Sequence, residues 1–264
     1  MSVAGGECIV ELLGSPLSSA AAASMDTNRL IAIGDVHGCV HALEAVLEAI
    51  EPTRNDRIVF LGDMIDQGKE SREVLERIIA LKQECDVVLI QGNHEEMMYA
   101  ARENEQALRY WEHCGGVSTL NSYRFGGTLA DIPAEHWALL DTCVPYYETD
   151  EVILTHANYV AELAMAEQPE YTLRWELFDP AKERPHFSGK PVVVGHTEQK
   201  NAEILDLGFA MCIDTTCCKY GWLTAIDMSA QEVWQANRWG MPRDADETSH
   251  RHQLKELLRP VAVA

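Results

Sequence analysis

The sequence predicts an α/β fold in which two facing mixed sheets carry helices on their outer sides, in one domain. Three strand-to-helix units follow one another early in the chain, and each strand runs into Gly-Asp or Gly-Asn. Asp35, Asp63 and Asn93 mark these strand ends at intervals of 28 and 30 residues, about the length of one βαβ unit. Short apolar runs dominate the second half of the chain and add further strands.

The first half of the chain predicts a parallel sheet. Residues 29–33 form the first strand, and residues 40–50 form the first helix because apolar side chains recur there at helical spacing. Residues 57–61 and 87–90 are the next two strands, with a helix at residues 71–81 between them. Right-handed crossovers would make these strands parallel, so their polar ends would meet at one edge of the sheet.

The rest of the chain continues this layout. Residues 95–141 are predicted to be mostly helical, with glycine pairs as interruptions. Two later strands each lead into a histidine: residues 152–154 precede His156, and residues 191–194 precede His196. Four short strands are expected after them, at residues 204–205, 211–213, 223–226 and 233–234. We find no solenoid repeat and no linker long enough to divide the chain.

Composition excludes several classes of function. The 264 residues are 47% apolar and carry 42 acidic against 21 basic side chains, a net charge of -21. Such a chain should be repelled by nucleic-acid backbones and anionic membranes, whereas it should attract cations. No apolar run approaches the ~20 residues that span a bilayer. Neither nucleic acid nor membrane is therefore an expected partner, and the sequence does not indicate an oligomeric state.

The ends of the chain differ from its centre. We expect residues 1–28 to be a loosely ordered leader, residues 29–238 to be the folded domain, and residues 239–264 to be a polar tail with a short helix near residues 254–258. The leader lacks the basic start of a signal peptide. The eight cysteines contain no Cys-x-x-Cys pair, so we interpret them as reduced thiols of a cytoplasmic protein.

Polar residues at the predicted strand ends suggest a metal site. They are Asp35, His37, Asp63, Asn93, His156 and His196. Taken singly, each has an ordinary alternative, such as a turn, a helix cap or a hydrogen-bonded core histidine. Together, this nitrogen and oxygen set suits Mn²⁺, Fe or Zn²⁺ better than Ca²⁺. Six ligands suit two ions sharing one carboxylate, and Asp63, on the middle unit, is best placed to bridge. Two such ions clamp an in-line displacement at phosphorus and lower the pKa of a bridging water.

These motifs resemble those of a known family. The signature series comprises GDVHG at residues 34–38, GDMIDQG at 62–68, GNHE at 92–95, His156, and GH at 195–196. It is similar to that of the phosphoprotein phosphatases, of the bacterial serine/threonine type, within the calcineurin-like metallophosphoesterases. The resemblance runs in order from about residue 30 to residue 236 and implies a four-layer α/β/β/α sandwich with a dinuclear, typically Mn²⁺-activated site.

The resemblance also implies roles for individual residues. It assigns one ion to Asp35, His37 and Asp63. It assigns the other ion to Asp63, Asn93, His156 and His196. His94 would be the general acid that protonates the leaving oxygen, with Asp66 fixing its orientation. A carboxylate partner would raise the pKa of the imidazole and keep the proton available.

Two positions depart from the family pattern. Gln67 stands where relatives usually have an arginine that binds the substrate phosphate with a charged, forked donor. The second phosphate-binding arginine of the family normally follows a tryptophan, whereas here Arg174 precedes Trp175. Gln67 and Arg174 are therefore the candidate substrate-binding residues, with Arg72 and Arg184 as alternatives to Arg174.

The sequence thus favours a metal-dependent phosphoesterase that hydrolyses phosphomonoesters by attack of a metal-bridging hydroxide. The favoured substrate is a phosphorylated protein, so the chain is expected to be a serine/threonine protein phosphatase. A small phosphoester is the other substrate that this activity allows. A dinucleoside polyphosphate, such as diadenosine tetraphosphate, is the alternative, because fold does not determine substrate. A third hypothesis is a metal-loaded module that binds phosphorylated ligands with little turnover. Gln67 favours this module, and the His94 and Asp66 pair argues against it.

Overall fold

A computed structural model of the chain describes residues 29–243. The strands of this part are β1 (Leu30–Ile33), β2 (Arg57–Phe60), β3 (Asp86–Leu89), β4 (Tyr146–Glu148), β5 (Ile153–Thr155), β6 (Val192–Val194), β7 (Leu205–Asp206), β8 (Ala210–Cys212), β9 (Leu223–Asp227) and β10 (Val233–Ala236). The α-helices are α1 (Val40–Ile50), α2 (Ser71–Leu81), α3 (Asn93–Ala100), α4 (Glu105–Trp111), α5 (Val117–Tyr123), α6 (Ala134–Leu140) and α7 (Glu170–Arg174). A π-helical turn spans Glu112–Gly116, and 3₁₀ turns span Leu129–Asp131 and Met165–Glu167.

The strands form two mixed sheets, as predicted. The first has the order β10-β9-β1-β2-β3, and the second has the order β4-β5-β6-β8-β7. In the first sheet β1, β2 and β3 are parallel, with Ile31 opposite Ile58 and Ile58 opposite Val87. In the second sheet β5, β6 and β8 are parallel. The carboxyl ends of each parallel set therefore share one edge of their sheet.

An apolar layer joins the two sheets. Ala32 and Val59 of the first sheet belong to the same buried cluster as Leu154, Val193 and Met211 of the second. Burial of one such Val or Leu side chain is worth about 1.5–3 kcal/mol. This layer fixes the two sets of strand ends relative to each other.

The outer layers differ in thickness. Helices α1 and α2 cover the outer face of the first sheet, with Leu43, Val46 and Leu75 in the core cluster. The outer face of the second sheet packs against Tyr159 and Leu173, of which only Leu173 lies in a helix, the five-residue α7. The predicted α/β sandwich is confirmed, but its fourth layer is largely irregular chain.

Several local features differ from the sequence-based prediction. The glycine pair at residues 115–116 interrupts the helical segment as predicted, but as a kink within the π-helical turn between α4 and α5 and not as a loop. Gly115 has φ +122°, and a Cβ there would lie 2.9 Å from the backbone nitrogen of Gln67. Strand β4 and helix α7 were not predicted, and the edges of several strands shift by one or two residues.

The ends of the described chain add two facts. Arg243, beyond the predicted domain boundary at residue 238, donates to Glu203 at 2.6 Å and to Gln235 at 3.2 Å. Among residues 29–243, no helix is both long enough and apolar enough to cross a membrane. The predicted leader at residues 1–28 and the helix near residues 254–258 lie outside the described residues.

Candidate metal centre and active site

The strand ends turn sharply where the predicted ligands lie. His37, Asp63 and His196 have φ values of 44°, 49° and 60°, in the left-handed region that non-glycine residues seldom occupy. Gly62, immediately before Asp63, has φ +112°, and a Cβ there would lie 2.8 Å from the nitrogen of Gly92. Such strain is typical of sites where the chain must present a side chain in one direction.

The first group of possible ligands surrounds one oxygen of Asp63. Oδ2 of Asp63 lies 3.6 Å from Nε2 of His37 and 3.9 Å from Nε2 of His94. The ligand atoms of these three residues lie within 4.8 Å of one another. Nδ1 of His37 donates to the carbonyl of Ile65 at 2.9 Å. That bond leaves Nε2, the nitrogen facing Asp63, unprotonated and able to act as a ligand.

The second group surrounds the other oxygen of the same carboxylate. Oδ1 of Asp63 lies 3.4 Å from Nε2 of His156, and His196 completes the group. Nδ1 of His156 donates to the carbonyl of Leu61 at 2.9 Å. Nε2 of His196 donates to the carbonyl of Trp175 at 3.1 Å. Each ring thus directs its unprotonated nitrogen towards the interior of the site.

Asn93 provides a test of whether a cation fits here. Its Oδ1 lies 3.0 Å from Nε2 of His156 and 3.1 Å from Nδ1 of His196, so three acceptor atoms face one another. An amide oxygen, two imidazole nitrogens and the nearby Asp63 carboxylate form a donor set that fits a divalent metal.

Asp35 lies at the same edge but in a different setting. Both of its oxygens accept from the backbone nitrogen of His196, at 3.0 and 3.2 Å. Burial, followed by the charges of Asp214 and Asp63, raises its pKa well above the usual range. Its carboxylate belongs to neither of the two metal-binding groups identified among residues 29–243. A cation at the site would relieve the repulsion among these carboxylates.

The histidines and the shared carboxylate have complementary charge states. Burial is the main cause that lowers the pKa values of His37, His156 and His196, in the case of His156 to about 4. Burial would raise the pKa of Asp63, but the surrounding histidines together hold it below its usual range. The site therefore offers neutral imidazoles and an ionised carboxylate near pH 7, the forms that bind metals.

His94 is held differently from the other histidines. Its Nδ1 lies 2.7 Å from Oδ2 of Asp66. Burial alone would lower its pKa, but the charge of Asp63 and the hydrogen bond to Asp66 raise it to about 9. Asp66 also accepts from the indole of Trp111 at 2.8 Å and from the hydroxyl of Thr119 at 2.6 Å. The fixed carboxylate and the raised pKa thus favour the protonated form of this imidazole beside the metal-binding groups.

The two candidate substrate-binding residues have different surroundings. Nε2 of Gln67 lies 3.1 Å from Nε2 of His37, and its Oε1 accepts from Sγ of Cys218 at 3.3 Å. Arg174 is 7% exposed and donates to Glu96 and to Glu170, both at 2.7 Å. Gln67 is therefore in the site, whereas the guanidinium of Arg174 is bound in ion pairs, and its contact with substrate stays a prediction.

The alternatives to Arg174 are also paired. Arg72 bonds Glu76 on an exposed face of α2, and Arg184 bonds Glu162. Both pairs are largely exposed to solvent, so each contributes little to stability.

Some residues that hold the site together were not predicted from the sequence. Glu95 is fully buried, and its carboxylate accepts from the backbone nitrogens of Asp63, Met64 and Gly92 at 2.8–3.0 Å. Glu95 stands three residues after Gly92, the residue that precedes α3. This is the spacing of a capping box, a sequence signal that could have identified Glu95. The contacts of Trp111 with Asp66 join parts of the chain 45 residues apart and carry no such signal.

Two relatives of known name align with this chain. Serine/threonine-protein phosphatase 1 of Salmonella typhimurium is 31% identical over 145 residues, which are 54% of this chain and 61% of that protein. This alignment thus covers less than two thirds of that relative. The asymmetrical bis(5'-nucleosyl)-tetraphosphatase PrpE of Anoxybacillus flavithermus is 24% identical over 234 residues, 76% of this chain and 91% of that protein.

A solved structure and a family match complete the comparison. The crystal structure of a candidate diadenosine tetraphosphatase aligns with 83% of this chain and with 95% of its own chain. The TM-score is 0.59 and the sequence identity is 19%, so the two proteins are similar in fold. Residues 28–200 match the family described as calcineurin-like phosphoesterase. This segment exceeds half of the chain and contains every predicted metal ligand. The chain therefore belongs to the calcineurin-like phosphoesterase family.

Proposed function

We propose that this chain is a dinuclear, metal-dependent phosphatase that hydrolyses phosphomonoesters, with a serine/threonine phosphoprotein as its favoured substrate. One observation carries the proposal. The carboxylate of Asp63 lies between two groups of histidines, with Oδ2 facing His37 and His94 and Oδ1 facing His156. A bridging carboxylate of this kind is what two neighbouring cations require.

The residues that would hold the ions divide between the two sides of Asp63. One side comprises Asp35 and His37. The other comprises Asn93, His156 and His196. The nitrogen and oxygen donors suit Mn²⁺, and Fe or Zn²⁺ are alternatives with similar preferences. Bound ions would polarise the phosphoryl oxygens and make water at the site more acidic.

His94 would act on the leaving group. With Nδ1 bonded to Asp66, its Nε2 faces Asp63 and the metal-binding groups. A proton on Nε2 would pass to the ester oxygen as the bond from phosphorus to that oxygen breaks, so the alcohol leaves uncharged. Asp66 keeps the ring oriented and stabilises its protonated form.

Gln67 would contribute an uncharged contact to the phosphate. Its amide lies beside His37, where an N–H group could donate to a phosphoryl oxygen. Arg174 would contribute only if its ion pairs with Glu96 and Glu170 opened.

A second candidate function is hydrolysis of a dinucleoside tetraphosphate. The alignment with PrpE favours it, because it extends over 91% of that protein. Such a substrate presents phosphoric anhydride bonds to the same centre. Its hydrolysis releases a nucleotide, whereas hydrolysis of a phosphomonoester releases an alcohol. A binding module with little turnover is the weaker possibility, because the His94 and Asp66 pair is intact.

The test is a panel of substrates and metals with the purified full chain. We expect turnover of p-nitrophenyl phosphate with Mn²⁺, loss of turnover after chelation, and restoration when Mn²⁺ is returned. Faster turnover of a phosphoserine peptide than of diadenosine tetraphosphate supports the phosphatase, and the reverse supports the second candidate. No turnover of any ester or of diadenosine tetraphosphate by the metal-loaded protein would overturn both.

A further inference from the structure

We infer that Lys219 provides the positive charge that binds the substrate phosphate in this site. The inference rests on the proposed function and deepens it, because it concerns the same centre. It starts from a lack of charge. Gln67 is neutral, and the donors of Arg174 are occupied by Glu96, Glu170 and, at 3.3 Å, Gln91. A phosphomonoester dianion would thus meet no free guanidinium from these positions.

The loop that carries Lys219 lies directly against Gln67. Sγ of Cys218, the residue before Lys219, donates to Oε1 of Gln67 at 3.3 Å. Nη1 of Arg238 donates to the carbonyl of Cys218 at 3.0 Å and supports the same peptide group. Gln67 in turn contacts His37. Lys219 therefore directly follows Cys218, which is linked through Gln67 and His37 to the metal-binding groups.

The loop is a tight and well-bonded turn. The backbone nitrogens of Lys219 and Gly221 both donate to the carbonyl of Thr216 at 3.1 Å, and Trp222 donates to Thr215 at 2.9 Å. A Cβ on Gly221 would lie 1.9 Å from the carbonyl oxygen of Thr215, so this position requires glycine. The turn therefore holds the Lys219 backbone in place while its side chain, 46% exposed, can move.

Lys219 keeps its positive charge. Burial would lower the pKa of its ammonium, but the hydrogen bond to Glu198 and the charge of that carboxylate together outweigh burial and raise the pKa.

Glu198 occupies the place that we assign to the phosphate. Nζ of Lys219 lies 2.7 Å from Oε2 of Glu198, two residues after His196. A carboxylate and a phosphate offer the same kind of paired anionic oxygens. Lys219 is paired, as Arg174 is, but its side chain is 46% exposed against 9% for Arg174, so its ion pair is weak enough to exchange. A lysine is a compact charge on a flexible stem, so it can follow a phosphate without the fixed geometry of an arginine.

The experiment compares Lys219→Met with a matched control, Lys182→Met. Lys182 is 80% exposed and pairs with Asp179 at 2.8 Å, so both variants remove one charge and one ion pair. Each Mn²⁺-loaded protein is assayed for KM and kcat with p-nitrophenyl phosphate, for the Kd of inorganic phosphate by calorimetry, and for bound Mn²⁺. Lys219→Arg tests rescue by a conservative change, and Glu198→Gln tests release of the ammonium.

We expect Lys219→Met to raise both KM and the phosphate Kd about five- to tenfold, a modest effect for a partly exposed charge. Bound Mn²⁺ should not change. Lys219→Arg should stay within about twofold of wild type, and Glu198→Gln should lower the phosphate Kd. Lys182→Met should match wild type.

The outcomes separate this inference from the proposed function. If wild type turns over and Lys219→Met has the same KM and phosphate Kd as Lys182→Met, the inference is wrong and the phosphatase stands. If wild type binds phosphate through Lys219 but hydrolyses no ester, the inference stands and the phosphatase is wrong. Loss of Mn²⁺ in Lys219→Met would mean that the residue supports the metal centre, and that result overturns the inference.

Discussion

Nδ1 of His94 lies 2.7 Å from Oδ2 of Asp66. The same carboxylate accepts from Trp111 and Thr119, so it has one orientation and cannot turn away from the ring. This contact fixes both the direction of the imidazole and the stability of its protonated form. The acid strength proposed for His94 should therefore depend on Asp66 in a measurable way.

The first prediction concerns the pH dependence of turnover. The pKa of His94 is raised to about 9, so its acid form is present below that pH and is lost as the pH rises through it. Bound cations would offset the charge of Asp63 and bring the alkaline limb below pH 9, whereas the effect of Asp66 remains. Asp66→Asn should move this limb to lower pH by about one unit.

The measurement is kcat as a function of pH, with Asp150→Asn as a control. Asp150 is exposed and lines a cavity together with Arg29 and Arg57. This cavity lies at the ends of the strands opposite to those that carry the predicted metal ligands, so the variant removes one charge far from the centre. Alkaline limbs that coincide in wild type and Asp66→Asn would show that Asp66 does not set the acidity of the catalytic acid.

The second prediction separates metal binding from proton transfer. Asp63→Asn should lose bound Mn²⁺, because one carboxylate faces both groups of histidines. His94→Asn should retain its metal and lose turnover by ~10²–10⁴-fold, the range for a general acid. Metal analysis after gel filtration, paired with p-nitrophenyl phosphate kinetics, distinguishes them. Loss of metal from His94→Asn would make that residue a ligand instead.

The third prediction concerns the charge missing at residue 67. Gln67→Arg places a forked cation beside His37 and should strengthen phosphate-ester binding, by up to roughly 1.5–3 kcal/mol for a hydrogen bond to a charged group. The gain should appear as a lower KM, or as a higher kcat if the contact strengthens in the transition state. Gln83→Arg, at an exposed turn, adds the same charge elsewhere.

The Lys219 proposal sharpens this test. Combined with Lys219→Met, the new arginine should restore the KM that the single Lys219 variant loses. Combined with wild-type Lys219, the gain should be smaller because the two cations repel each other. An unchanged or lowered kcat/KM in Gln67→Arg, with metal intact, would show that this position is not a vacant phosphate contact.

The fourth prediction concerns Arg174. Arg174→Met removes bonds to Glu96 and Glu170 and disturbs the segment whose Trp175 carbonyl orients His196. We expect the free energy of unfolding to fall by about 1–3 kcal/mol, with KM for p-nitrophenyl phosphate close to wild type. Arg184→Met, from an exposed pair, is the control for thermal unfolding. A tenfold rise in KM at unchanged stability would instead establish Arg174 as a phosphate ligand.

The sequence predicted those parts of the fold that local patterns encode. The strands ending at Asp35, Asp63 and Asn93 were found because a buried apolar run followed by a glycine and a polar residue is a local signal. The three strands are parallel as expected. Strand β4, Tyr146–Glu148, was not predicted because an edge strand of three residues is too short to show alternation of apolar and polar side chains.

The missing parts of the site depend on contacts between distant segments. Arg174 is a phosphate-binding candidate from its position beside Trp175, and its ion pair with Glu96, 78 residues away, had no local signal in the sequence. Likewise, Cys218 and Gln67 are 151 residues apart in the sequence but in contact in the structure. No sequence motif could therefore predict the position of the loop that carries Lys219. Local patterns identify possible ligands, whereas the packing of the two sheets decides which cations are free.

The most direct test of the account is the metal stoichiometry of the active protein. The chain is stripped with chelator, titrated with Mn²⁺, and analysed by elemental analysis and by turnover of p-nitrophenyl phosphate at each step. We predict close to two ions per chain at full activity, with Asp63→Asn falling well below that value. Full activity at one ion per chain would contradict a centre in which Asp63 bridges two metals.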